Sequence, residues 1–171
     1  MTDRPLFLDA SFFLGMHDSD ASRRQQSLAY FTRHLSSQPR MNYEQIGICD
    51  AVIWQQDRAT QDHYYPFMDR LHSDMAIQRH GYAYDEIRLA LQHPELQTLA
   101  PEQALLAGQV LHHQGWLATH DAILAALPCL QGRLWQAQAQ APQPASRFPE
   151  PLQALYEASR AFIHLAERPY A

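Results

Sequence analysis

Three carboxylates stand where a carboxylate is either costly or useful. Asp9 interrupts the apolar run Leu6-Phe7-Leu8-Asp9-Ala10-Ser11-Phe12-Phe13. A buried carboxylate is unfavourable unless a donor, a basic partner or a cation compensates it. Glu44 stands between Tyr43 and an apolar helix beginning at Ile46, and Asp121 opens the segment Ala122-Ile123-Leu124-Ala125-Ala126-Leu127. Taken singly, each has an ordinary explanation: a turn cap for Asp9, and a first-turn acid favoured by the helix dipole for the other two. Taken together they read differently. In a parallel sheet, ligands gather beyond the carboxyl ends of the strands, and all three acids can border one such crevice. They would repel one another unless a hard divalent cation sat among them, and oxygen-only ligands suit Mg²⁺ or Mn²⁺. A site of that kind supports in-line attack on a phosphodiester by metal-activated water.

The elements that must position these acids can be read along the chain. The run from Leu6 to Phe13 has the pattern of a strand covered on both faces. Ser22-Arg23-Arg24-Gln25 resembles a capping box, with Leu28, Phe31 and Leu35 at helical spacing after it. Met41 to Glu44 reads as a short strand leading into a helix with Ile46, Cys49 and Ile53 on one face. Tyr64, Phe67, Met68 and Leu71 mark one further helix, and Ile87, Leu89 and Leu91 another after Gly81. Thr98 to Pro101, with Glu102 beside it, is a helix start. Ala104, Ala107, Gly108 and Leu111 make a small-residue stripe suited to close packing, and Gly115 closes that helix. His120 to Leu130 reads as a helix strained by Pro128, and Gly132 to Trp135 as a final short strand.

Residues 1–135 therefore form one α/β domain with a mainly parallel sheet. Residues 136–151, rich in Gln, Ala and Pro, read as an irregular linker. Residues 152–171 hold a last helix with Leu152, Leu155, Tyr156, Ser159, Phe162, Ile163 and Ala166 on one face, which should dock on the domain or on a partner, including a second copy of the chain.

Composition narrows the chemistry. The 171 residues are 46% apolar and 18% charged, which fits one folded domain and excludes a disordered chain. No stretch reaches the roughly 18 apolar residues of a membrane span, and the polar N-terminus does not read as a signal peptide, so a cytoplasmic protein is expected. All 13 basic side chains are arginine, which excludes a lysine Schiff base and a P-loop lysine. The net charge of −5 is not that of a duplex-DNA binder. Cys49 and Cys129 are too few for a disulfide framework or a cysteine-rich zinc site, and neither GxSxG nor GxGxxG occurs.

Leu8-Asp9-Ala10-Ser11-Phe12-Phe13-Leu14 resembles the opening strand of the PIN-domain family, with its Asp-x-Ser/Thr signature. Met41-Asn42-Tyr43-Glu44 is similar to that family's second acidic position, and His120-Asp121-Ala122-Ile123-Leu124-Ala125-Ala126 to its third. The resemblance runs with gaps from about Leu6 to Trp135. It implies a three-layer α/β/α fold and a metal-dependent nuclease, most often a ribonuclease and sometimes the toxin of a toxin–antitoxin pair. Asp9, Glu44 and Asp121 would hold Mg²⁺ or Mn²⁺, and Ser11 would help to orient a ligand or water. Many members carry a further acid just after the final strand in a Thr-x-Asp context. Here the segment after Trp135 is Gln136-Ala137-Gln138-Ala139, which is neutral. Two readings follow: a nuclease working with three acids, or a relative with an incomplete site that binds a metal, a partner or a small molecule.

Four arginines and two acids lie between Asp18 and Asn42. Arg23 and Arg24, with His17 and His120, are the expected contacts for a single-stranded RNA. His120-Asp121 also allows an HD-type phosphohydrolase, but no acid follows Asp121 until Glu150.

Overall fold

A computed structural model describes residues 4–136 and 146–165. Four three-residue strands form its sheet: β1 (Leu6–Leu8), β2 (Arg40–Asn42), β3 (Gln78–His80) and β4 (Trp116–Ala118). Their order is β3-β2-β1-β4 and every pairing is parallel. Eight α-helices accompany them: α1 (Ala10–Leu14), α2 (Ala21–Arg33), α3 (Tyr43–Trp54), α4 (Arg58–Asp74), α5 (Tyr84–Gln92), α6 (Pro101–His112), α7 (Ala122–Ala126) and α8 (Leu152–Ser159). The fold is α/β, with helices on both faces of a central parallel sheet and an additional C-terminal helix.

Alternation along the strands separates two apolar layers. Leu8 joins Phe13, Phe31, Tyr64, Phe67 and Tyr156 in one, while Phe7 joins Leu106, Val110, Leu117 and Leu124 in the other. The chain adds β2 and β3 on one side of β1 and then returns to add β4 on the other. The order therefore reverses at β1, which opens a crevice beyond the carboxyl ends of β1 and β4.

Several local expectations change. The apolar run at the N-terminus is not one strand: β1 stops at Leu8, Asp9 takes an extended backbone, and α1 begins at Ala10. The Asp9 carboxylate accepts the Phe12 N–H at 2.8 Å, so the residue that interrupts the apolar pattern is the N-cap of a short buried helix. Phe12 and Phe13 are buried from that helix rather than from a strand. The strand expected at Met41–Glu44 lies at Arg40–Asn42, because Asn42 caps α3 by accepting the Gln45 N–H at 2.9 Å.

Two strands escaped the pattern. β3 is fully exposed on one edge, so Gln78-Arg79-His80 carries no apolar signal. Trp116–Ala118 was hidden behind the Gly115 turn. The helix expected over His120–Leu130 is only α7, followed by a 3-10 turn at Pro128–Leu130, since proline cannot supply the interior N–H. The strand expected at Gly132–Trp135 is reduced to a single bridge between Leu117 and Leu134.

Of the linker expected over 136–151, residues 137–145 lie outside the described residues. The part that follows is irregular, yet Phe148 is buried and its N–H donates to Gln153 Oε1 at 2.9 Å. α8 docks on the domain: Leu152 and Tyr156 are buried in the layer that includes α4, and the Tyr156 hydroxyl donates to Met16 O at 2.8 Å. That apolar face is thus already covered within the chain. Phe162 is buried just beyond the helix, Ile163 is exposed, and Ala166 lies outside the described residues.

The small-residue stripe on α6 does what its composition implies. A Cβ on Gly108 would lie 2.7 Å from Ala90 Cβ and 2.9 Å from Glu86 O, so α5 and α6 touch backbone to backbone there. Gly108→Ala is expected to destabilise the protein by about 1–3 kcal/mol through overpacking, read by denaturant titration.

His17 is buried among Tyr64, Phe67, Tyr156 and Phe162. Ser159 Oγ donates to Tyr156 O, so it must accept from His17 Nε2 at 2.7 Å, which leaves Nδ1 as an acceptor without a partner. Burial pushes the imidazole pKa down to about 3 from 6.5. The unfolded chain therefore takes up this proton first as pH falls. The contribution of His17 to stability is complete above pH 6.5 and is lost progressively toward pH 3, at about 1.4 kcal/mol per unit. Denaturation of the parent and of His17→Gln at matched pH should show the parent losing ground to the variant by that slope between pH 6 and 4.

Candidate functional site

The carboxyl ends of the strands hold a cavity of about 450 Å³ lined by Asp9, Ser11, Glu44, Gln45, Glu102, Gln103 and Asp121, with an apolar wall that includes Ile48 and Leu124. Each acid arrives at the end of a different connection. Asp9 follows β1 and caps α1, while Glu44 is in the first turn of α3, directly after β2. Glu102 is in the first turn of α6, and Asp121 follows β4 and caps α7. The three acids singled out in the sequence are brought together, and a fourth, Glu102, joins them.

Asp9 is the most enclosed. Its Oδ1 accepts from Ser11 Oγ at 2.7 Å and from the Phe12 N–H, and its Oδ2 accepts from Thr119 Oγ1. Burial pushes its pKa up to about 6, the hydrogen bonds from Thr119, Ser11 and Phe12 hold it down, and the charge of Asp121 adds a smaller upward push. Ser11 Oγ also accepts the His120 N–H at 2.8 Å, and Thr119 Oγ1 accepts the Asp121 N–H at 2.9 Å. The two hydroxyls thus tie the segment after β1 to the segment after β4.

Asp121 Oδ1 accepts the Ile123 and Leu124 N–H groups at 2.8 and 3.2 Å, and Gln103 Nε2 donates to its Oδ2 at 2.7 Å. Gln45 Oε1 accepts the Ala10 N–H at 2.8 Å, fixing α3 to the start of α1. Glu44 Oε1 accepts from the Tyr82 hydroxyl at 2.7 Å.

The donors facing the cavity are carboxylate, hydroxyl and amide oxygens, the chemistry of a hard divalent cation such as Mg²⁺ or Mn²⁺ rather than of zinc. In their present rotamers Asp9, Glu44 and Asp121 accept hydrogen bonds from the protein, and among the described residues no three His, Cys, Asp or Glu side chains are grouped as a ready-made ion site. By donor type the residues fit such an ion.

The expected nucleic-acid contacts lie elsewhere. His17 is enclosed in the aromatic layer and is not available to a ligand. His120 turns toward α2: Ser27 Oγ donates to Phe12 O and so accepts from His120 Nε2 at 2.8 Å. Arg23 pairs with the buried Asp18 at 3.4 Å, and Arg24 Nη1 donates to Asp18 O at 2.6 Å. None of these four lines the cavity.

Sequence reasoning missed Glu102, Gln103, Gln45, Thr119 and Tyr82. The signal for Glu102 was present as a first-turn acid after Pro101, and it was read only as a helix start. Thr119-His120-Asp121 also directly follows β4, the last strand of the sheet, so an acid stands after that strand in a Thr-x-Asp context. The neutral segment from Gln136 onward, where that acid was sought, follows only the Leu117–Leu134 bridge, and residues 137–139 lie outside the described residues.

Fold and site define an α/β protein with a carboxylate-lined cavity at the reversal point of an all-parallel sheet. Over residues 1–168 the chain matches DUF6190, a family of unknown function, and it belongs to that family. No curated protein matches it. No helix among the described residues is long and apolar enough to cross a membrane.

The raised pKa of Asp9 has a direct consequence. Its folded pKa of about 6 exceeds the model-compound value of 3.8, so holding the ion in the fold is unfavourable above pH 6 and costs nothing below pH 3.8. The stability of metal-free Asp9→Asn relative to the parent should therefore fall by about 2–3 kcal/mol as pH is lowered from 7 to below 4, as measured by thermal or urea unfolding.

Proposed function

We propose that this protein is a divergent PIN-like, divalent-metal-dependent phosphodiesterase acting on single-stranded RNA in the cytoplasm. The observation that carries the reading is the convergence of Asp9, Glu44, Glu102 and Asp121, from four separate connections, on one cavity at the carboxyl ends of the strands. Burial of the Asp9 carboxylate in that cavity has a cost in folding stability, and a cation beside it would offset that cost. The Thr119-His120-Asp121 context supports the PIN-like reading further: Asp121 then stands for the acid after the last strand rather than for the third acidic position, and Glu102, opening the apolar helix before that strand, is left to fill the third.

Mg²⁺ or Mn²⁺ bound by these carboxylates would supply Lewis-acid stabilisation of the phosphodiester and a lowered water pKa. Asp9 is fixed by Ser11, Thr119 and the Phe12 N–H, so it would offer a carboxylate oxygen in a set direction without reorganising. Glu44 and Glu102 are carried by helices of different apolar layers, α3 and α6, and Asp121 is steadied by Gln103. Ser11 acts on Asp9 as a donor and orients it. Ile48 and Leu124 keep one wall of the cavity apolar, which strengthens the charge interactions inside it.

A second reading has its own support: all of Asp9, Glu44 and Asp121 already accept protein hydrogen bonds, as they would in a related protein that binds a metal, a partner or a small molecule without cleaving RNA. One experiment separates the two. Mn²⁺ binding by calorimetry and cleavage of a labelled single-stranded RNA are measured on the parent, Asp9→Asn, Glu44→Gln, Glu102→Gln and Asp121→Asn. The nuclease reading expects metal-dependent cleavage by the parent, reduced in each variant by about a hundredfold or more, the equivalent of several kcal/mol of transition-state stabilisation. Binding without cleavage favours the second reading. Absence of Mn²⁺ binding by the parent, or binding unaltered in all four variants, removes the nuclease reading and the metal from the second.

A further inference from the structure

A buried polar network joins α5 and α6 to the start of α3. Glu86 is buried on α5, and its Oε2 accepts the Ala83 N–H at 2.9 Å and Gln109 Nε2 at 3.0 Å. Its Oε1 is 2.6 Å from His113 Nε2. Gln109, buried on α6, also donates to Gly81 O at 3.2 Å and accepts from Asn42 Nδ2 at 3.1 Å. Asn42 in turn caps α3 through the Gln45 N–H. The backbone on either side of Tyr82, at Gly81 and at Ala83, is thus fastened to the same two buried side chains. One of those, Gln109, also holds the residue that starts the helix carrying Glu44.

Tyr82 is the product of that arrangement. It is half-buried, and its hydroxyl donates to Glu44 Oε1. Burial and the neighbouring Glu44 carboxylate both push the phenol's pKa upward, so it remains a neutral donor. Burying a Glu86–Gln109 pair merely to shape a surface loop is an expensive arrangement, because each polar group must be matched. The return is geometric: the loop over Gly81–Ala83 and the first turn of α3 cannot shift independently.

We infer that Tyr82 is a positioning residue for Glu44. It holds one carboxylate oxygen so that the other can be presented to a divalent cation in the cavity, and the Glu86–Gln109 pair holds Tyr82. The inference rests on the metal-site reading above and names a residue outside the carboxylate set. Second-sphere donors of this kind typically change metal affinity by ten- to a hundredfold when removed.

The test is a double-mutant cycle on the full chain with Mn²⁺ alone as probe, using the parent, Tyr82→Phe, Glu44→Gln and the double variant, with affinity read by calorimetry and the melting temperature of each metal-free protein recorded. Tyr82→Phe should weaken Mn²⁺ binding by about tenfold, and it should add no further loss to Glu44→Gln. Tyr82→Trp, which fills the site without the hydroxyl in place, should bind no better than Tyr82→Phe. A purely structural role would lower the melting temperature and weaken binding equally with or without Glu44, and that outcome overturns the inference. So does parental affinity in Tyr82→Phe while Glu44→Gln loses the metal; the metal-site reading would survive that result. Failure of the parent itself to bind Mn²⁺ overturns both.

Discussion

The delivery of Asp9, Glu44, Glu102 and Asp121 to one cavity, with Asp9 buried, is the constraint around which this molecule is arranged. Carboxylates on a surface spread apart and are solvated. Here they are delivered to one cavity by the ends of strands and the starts of helices, where backbone direction leaves them little freedom. The protein moderates the cost with donors rather than with cations of its own. Hydroxyls from Ser11 and Thr119, amides from Gln103, and helix N-termini at α1 and α7 all point at carboxylate oxygens. Among the described residues no arginine lines the cavity.

The sheet order makes this economical. With β1 flanked by β2 on one side and β4 on the other, the residues just past three adjacent strand ends fall beside one another without any long loop. Strands of three residues are enough, because each serves to aim the next residue rather than to present a broad surface. The rigidity comes from the two apolar layers and from specific ties across the crevice, such as Ser11 to the His120 N–H and Gln45 to the Ala10 N–H.

Much of the site was legible from residue type alone. An aspartate inside an apolar run, a glutamate at a helix start and an aspartate before an alanine-rich helix are each visible without coordinates, and all three line the cavity. Glu102 was visible as a first-turn acid but carried no mark separating it from Glu95 or Asp85, which lie outside the cavity. The placement of strands was harder. β3 sits on an exposed edge and lacks apolar alternation, while Trp116–Ala118 is too short for periodicity to register. Losing β4 concealed that Thr119-His120-Asp121 follows the last strand. Arg23, Arg24, His17 and His120 lie outside the cavity for a related reason: position in the chain does not say which way a side chain leaves the backbone.

By itself the sequence determined the chain's class: an α/β alternation, enough apolar residues for two layers, helix starts at its polar punctuation, and acids with no lysine to neutralise them. Those are local properties, set by propensity, capping and solvation within a few residues. Only the tertiary structure decided which acids meet, that His17 belongs to the core, that α8 spends its apolar face on α4, and that Tyr82 reaches Glu44 across 38 residues of chain. These depend on strand order and on the packing of distant helices, and a linear pattern carries no record of either.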